Sequence, residues 1–317
     1  MKTKKKYLIQ KILVWLFITN IFYSCNIARK NNEDTIVIPF KLENNRIVVQ
    51  ATVNGVEGRY FWDTGAPDTI TTIPLDNLPV VKNDPYIHNT RHYIKDGIVI
   101  NGQLLKTTST IYNLSPTVPR IEVIERILKN EGFDGVLGYY IFTGYWCELS
   151  FSENKIILHK NKPKHFSKSA AGFVAPWGYP CIFVNIDDKP IAFLVDTGMP
   201  SAFTFPKTFM EYLNPEDYDE IITMIAYYGE VQNAFETNYE IATSTINVLD
   251  DTFIDKFIVT SHNNPFDEWG TIGVEYLQYY DLLFDITNKN PRSSNLYYIS
   301  RFPDMDKNTL RFSYMRN

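Results

Sequence analysis

Apolar and polar residues alternate in short runs along most of the chain, the period of half-buried strands. From Val48 to Asp63 the run "VVQATV" leads through Asn54-Gly55 into "VEGRYFWD", two strand patterns joined by a dipeptide typical of tight hairpins. From Cys181 to Asp196, "CIFVNI", Asp187-Asp188 and "KPIAFLVD" repeat the arrangement. Each second strand stays apolar up to a carboxylate, where desolvation penalises the charge, and each Asp is followed by Thr-Gly. Helical spacing is confined to short stretches: "IEVIERILKN", Ile121 to Asn130, and "PKTFMEYL", Pro206 to Leu213, which opens with a Pro suited to a first helical turn. Both read as packing elements in an all-β fold.

The two hairpins belong to a longer repeat. Asp196 minus Asp63 is 133, and at that offset Val48 to Gly65 lies ungapped over Cys181 to Gly198. At an offset of 135, "TSTI" at Thr108 to Ile111 lies over "TSTI" at Thr243 to Ile246, and Val136-Leu137-Gly138 over Thr271-Ile272-Gly273. An aromatic-rich segment and further strand patterns follow each glycine. Two copies of one β-rich unit are expected: a first lobe over 35–160, a polar, Lys-rich linker over 161–171 and a second lobe over 172–317.

Composition narrows the setting. With 317 residues, 44% of them hydrophobic, two lobes can each bury a core. A net charge of -5 and the lack of a basic run beyond the N-terminus give no electrostatic case for nucleic acid. Lys2, Lys4, Lys5, Lys6 and Lys11 precede the apolar run Ile12 to Ser24, which ends at Cys25. That is the layout of an export signal over 1–24, and the Ser24-Cys25 junction resembles a bacterial lipobox with Cys25 as the lipidated residue. Residues 25–34 then form a tether, and the expected location is the bacterial cell envelope, on the periplasmic or the surface face of the outer membrane. Cys147 and Cys181 are left to pair or to stay as buried thiols. The scattered His residues offer no metal-ligand spacing, and neither metal nor cofactor is expected.

Hydrolysis of a peptide by water needs one group to take the water proton and another to protonate the carbonyl oxygen or the leaving amine. Two carboxyls in hydrogen-bond contact do both, because like charges at close range keep one protonated while the other is ionised. Duplication is a direct way to bring two equivalent carboxylates face to face. On these motifs, "DTGAPDT", "FDGVLG", "DTG" at Asp196 and "GTIGVEYL", the chain resembles the pepsin and retropepsin type of aspartic protease, over about Ile36 to Ile299. The resemblance implies a catalytic pair of Asp63 and Asp196. It implies that Thr64 and Thr197 bond across the lobes, that Gly65 and Gly198 let the turns approach the carboxylates, and that Gly138 and Gly273 support the turns from beneath. It also points to Tyr93 as the flap residue if there is one flap, to Tyr93 and Tyr228 if there are two, and to Asp68 as a contact for the substrate backbone.

Ala66 and Met199 depart from the pepsin-like pattern, in which a hydroxyl follows the triplet and stabilises the ionised carboxylate. Without it, the pair is expected to titrate higher and to work nearer neutral pH. The expectation is therefore a monomeric, membrane-tethered aspartic endopeptidase acting on a peptide or protein substrate. The alternative is a protease-like lipoprotein without activity that binds peptides or another polymer in the same cleft, and Met199 is the residue that favours it.

Overall fold

A computed structural model describes residues 35–75, 78, 91–93, 97–106, 110–113, 128–175, 179–205, 218–224, 235–260, 269–288 and 296–302, and residues 36–317 form one compact unit. The described residues are mostly strand, as the alternation predicts. Helical structure among them is limited to residues 128–131, a 3-10 turn at Tyr139–Phe142 and one turn at Val274–Leu277. The first of these overlaps the end of the helix expected at Ile121 to Asn130, whose residues 121–127 lie outside the described residues, as does the helix expected at Pro206 to Leu213.

Both expected hairpins form. Arg46–Val53 pairs antiparallel with Val56–Asp63, and Tyr179–Ile186 with Lys189–Val195. The joining residues Asn54 and Gly55 have φ of 50° and 77°, and Asp187 and Asp188 have 47° and 65°. Positive φ at both central positions matches the right-handed twist of the strands it joins. Asp187 offsets the cost of that conformation by accepting the Thr245 amide at 2.7 Å.

Each hairpin feeds the same local topology. Gly135–Gly138 lies parallel to Val56–Asp63, with Gly138 opposite Asp63, and antiparallel to Thr69–Thr71. Gly270–Ile272 lies parallel to Lys189–Val195, with Ile272 opposite Val195, and antiparallel to Phe203–Thr204. The chain thus leaves the Asp strand, turns back, and later threads a short strand between the two. Nine described strands make the first sheet, in the order Arg91–Tyr93, Thr110–Asn113, Thr69–Thr71, Gly135–Gly138, Val56–Asp63, Arg46–Val53, Ile98–Ile100, Gln103–Leu105, with Lys41–Glu43 also on Arg46–Val53. Eight make the second, which adds Gly172–Ala175, Tyr218–Met224, Phe235–Val248 and Asp251–Thr260 to the strands just named.

A third sheet joins the halves. Tyr145–Ser150 and Tyr280–Ile286, the strands that follow the two glycine supports, pair with each other, Cys147 opposite Phe284 and Leu149 opposite Leu282. Thr35–Pro39, Lys155–His159, Leu296–Ser300 and Lys168–Ala170 complete it. Lys168–Ala170 falls inside the segment expected as a linker; its polar residues suit an edge strand whose one partner is Leu296–Ser300. On this sheet rests a core drawn from both halves: Trp62, fully buried, meets Phe142 and Phe284 edge-on at centroid separations of 5.3 and 5.6 Å. Cys147 and Cys181 are both buried and are not joined in a disulfide.

One part of the repeat does not carry through. Thr110–Asn113 runs parallel to Thr69–Thr71, with Ile111 opposite Thr69, whereas Ile246 lies opposite Ile186 on the hairpin of the second half. The matching "TSTI" segments therefore occupy different places. Alternating Thr, Ser and Ile suits almost any half-buried strand, so four letters do not fix which strand it is.

Candidate active site

The turn after each Asp strand is built the same way. The Gly65 amide donates to Asp63 Oδ1 at 2.7 Å, and the Gly198 amide to Asp196 Oδ1 at 2.7 Å. The Ala66 and Met199 amides close the turns on the Asp63 and Asp196 carbonyls, both at 3.3 Å. From beneath, the Tyr139 amide donates to Ala66 O at 2.6 Å and the Val274 amide to Met199 O at 2.9 Å. Each residue just past a support glycine thus holds the turn of its own half.

The halves interlock at the threonines. Thr64 N donates to Thr197 Oγ1 and Thr197 N to Thr64 Oγ1, each at 3.0 Å. The hydroxyls donate onward, Thr64 Oγ1 to Val195 O and Thr197 Oγ1 to Trp62 O at 2.8 Å. Both side chains are completely buried. Each polar atom of this crossing therefore has a protein partner, as burial demands.

The result is that Asp63 and Asp196 meet: the turn glycine of each half lies against the other half's carboxyl, and each carboxyl acts on the other. Desolvation pushes the Asp63 carboxyl well above the ordinary carboxylate range, and the Asp196 charge and hydrogen bond add to this; the Gly65 amide and Arg46 oppose it. Asp196 is also raised by desolvation, opposed by its bond to Asp63, the Gly198 and Met199 amides and Arg46. Groups that interact this closely titrate as a pair rather than singly. The largest influence on both carboxyls is burial, not the lack of hydroxyls at Ala66 and Met199.

No room exists for a side chain at the four glycines. A Cβ on Gly65 would sit 2.5 Å from Asp196 Oδ2, and one on Gly198 2.5 Å from both Asp63 oxygens. A Cβ on Gly138 would strike the Asp68 backbone, and one on Gly273 the carbonyls of Ser201 and Met199. The Met199 side chain lies over Gly273, its Cε 2.9 Å from where that Cβ would be.

Asp68 is 9% exposed, and its charge acts on the Tyr140 and Tyr179 phenols. Tyr93 stands at the end of Arg91–Tyr93, paired through its backbone with Thr110. Tyr228 and Cys25 lie outside the described residues. Among the described residues no group of His, Cys, Asp and Glu is arranged to hold a metal ion.

Two residues that the motif reading passed over complete the site. Arg46 is 6% exposed and interacts with both carboxylates. Tyr179 is pushed up to about 12, first by desolvation and then by the charges of Asp63, Asp196 and Asp68. Arg46 stands 17 residues before Asp63 and Tyr179 17 before Asp196, so the repeat itself puts them in matching places. The signal was present in the 133-residue offset, hidden because the two residue types differ. Compared with known families and with curated proteins, the chain matches no family model and no curated sequence.

Proposed function

We propose that the protein is an aspartic endopeptidase of the acid-protease type, in which each half forms one lobe and supplies one carboxyl. The observation that carries this reading is the meeting of Asp63 and Asp196, each at the end of an equivalent strand, with the turn glycine of each half packed against the other half's carboxyl. A water held between them gives one proton to the ionised carboxylate as its oxygen attacks the scissile carbonyl carbon. The protonated partner donates its proton to the carbonyl oxygen, and a neutral tetrahedral diol forms. Transfer of a proton to the amide nitrogen then lets the C–N bond break, yielding an acid and an amine and restoring the singly protonated pair. No metal or cofactor is consumed in these steps.

Tyr179 and Asp68 flank the pair and belong with the substrate-facing groups in this reading. One chain supplies both carboxyls, so a monomer is sufficient. The N-terminal signal pattern and Cys25 support a lipid-tethered location in the bacterial cell envelope, on the periplasmic or the surface face of the outer membrane. Among the described residues no helix is long and apolar enough to cross a membrane.

The test is incubation of the chain from Asn26 onward with a mixed peptide library from pH 3 to 8, beside Asp63→Asn and in the presence of pepstatin. Cleavage by the wild type that vanishes in the variant and with the inhibitor is expected. Equal cleavage by the variant overturns the reading, and peptide binding without cleavage by either protein favours the inactive, polymer-binding alternative.

A further inference from the structure

Arg46 is a buried cation tied to both halves. Its Nε and Nη2 donate to Glu131 Oε2 and Oε1 at 2.7 and 2.9 Å, a two-pronged pair that uses one edge of the guanidinium. The remaining nitrogen, Nη1, donates to Gly198 O in the opposite half. Below the plane lies the Phe61 ring, with Arg46 Cζ 4.7 Å from its centroid. Next door, Asn45 Nδ2 donates to Pro200 O at 2.9 Å. Consecutive residues of the first half thus hold two carbonyls of the turn that presents Asp196.

We infer that Arg46, clamped by Glu131, is a positioning residue for Asp196: it fixes the Gly198 turn against the first half and sets a one-sided positive field across the carboxyl pair. The geometry requires arginine. A guanidinium offers a fork for Glu131 and a separate N–H for Gly198 O, while a lysine ammonium is a single point that serves only one of them well. Gly198 transmits the restraint within one residue, because its carbonyl accepts from Arg46 while its amide donates to Asp196 Oδ1.

The field is one-sided because the repeat is broken here. At the matching position the second half carries Tyr179, a neutral phenol, and the anion Asp68 acts on that same phenol. The groups facing the pair are therefore Arg46 with its partner Glu131, and Tyr179 with Asp68 beside it. Arg46 favours the ionised form of both carboxyls, and it holds the turn of Asp196.

The inference rests on the hydrolase reading only for turnover, so the experiment includes a readout that needs no activity. The Asp63 and Asp196 carboxyls are titrated by 13C NMR in the wild type, Arg46→Met, Arg46→Lys and Glu131→Gln, with turnover and KM measured alongside. Arg46→Met is expected to raise the titration of the pair by roughly one pH unit, the effect of losing a nearby opposite charge. Its turnover falls by about 10- to 100-fold, with KM within about twofold, as a misplaced carboxylate demands. Arg46→Lys keeps the titration near the wild-type position and still loses turnover. Glu131→Gln moves the titration the other way, downward, because the cation is no longer neutralised.

Opposite directions for Arg46→Met and Glu131→Gln are a signature that loss of packing alone does not produce. If both leave the titration in place, or if Arg46→Met lowers only the melting temperature, the inference is overturned. A wild type that cleaves nothing defeats the hydrolase reading and leaves the titration to decide this one. Should Arg46→Met fail to fold, Arg46→Lys and Glu131→Gln decide by the same signs.

Discussion

Thr64 and Thr197 exchange hydrogen bonds symmetrically, each accepting the other's backbone amide at 3.0 Å and giving its hydroxyl to a carbonyl of the opposite half. This crossing lies beside the carboxyl pair and contains no solvent-exposed atom. Thr64→Val keeps the shape but orphans the Thr197 amide, which costs about 1–3 kcal/mol for a buried donor. A urea or thermal melt is expected to show that loss, while Thr64→Ser, which keeps the hydroxyl, retains most of the stability. Equal melts for Val and Ser would show that the crossing is not needed.

Replacing a carboxyl separates activity from stability. Asp63→Asn and Asp196→Asn each remove a proton-transfer group, worth about 10²–10⁴-fold in rate. At neutral pH the same changes should stabilise the fold. The folded Asp63 value lies above its ordinary 3.8, so the fold favours the protonated acid. That contribution is full below the ordinary value and is lost as pH rises through the raised one. Asp63→Asn is therefore expected to melt on the order of a few degrees above wild type at pH 7, the gap closing towards pH 3. A lower melting temperature at pH 7 would contradict the assignment.

The pH profile follows the same direction. Activity needs one proton on the pair, so the acid limb reports the first ionisation and the alkaline limb the second. Both carboxyls are raised, which moves the bell toward neutral. Met199→Ser restores a hydroxyl next to Asp196 and should draw the acid limb to lower pH. Steady-state rates from pH 3 to 8 check this, and an optimum in the wild type below about pH 3.5 would match the pepsin example and refute the expectation.

Gly138 and Gly273 are supports whose replacement acts at a distance. Alanine at Gly138 meets the Asp68 backbone, and at Gly273 the carbonyls of Ser201 and Met199. Neither neighbour yields without shifting an Asp turn, so a cost of about 1–3 kcal/mol is expected, with loss of turnover beyond what the unfolded fraction explains. Gly144, with open space around its missing Cβ, is a poor control because its φ is 94°. Thr143→Ala, in the same loop and away from the pair, is the better comparison for stability.

The sequence alone carried what depends on local pattern: alternation for strands, Asn54-Gly55 and Asp187-Asp188 for hairpin turns, and a duplicated Asp-Thr-Gly at the end of each second strand. Those features are legible because side-chain period and turn chemistry act within a few residues. It did not determine which "TSTI" strand sits where, since short alternating segments fit any half-buried position, and Lys168–Ala170 is a strand only because Leu296–Ser300 offers it an edge. The meeting of Asp63 with Asp196, and the reach of Arg46 from one half to Gly198 in the other, were decided by tertiary structure. Desolvation and charge coupling depend on what surrounds a group in space, and for this pair part of those surroundings comes from residues more than a hundred positions away.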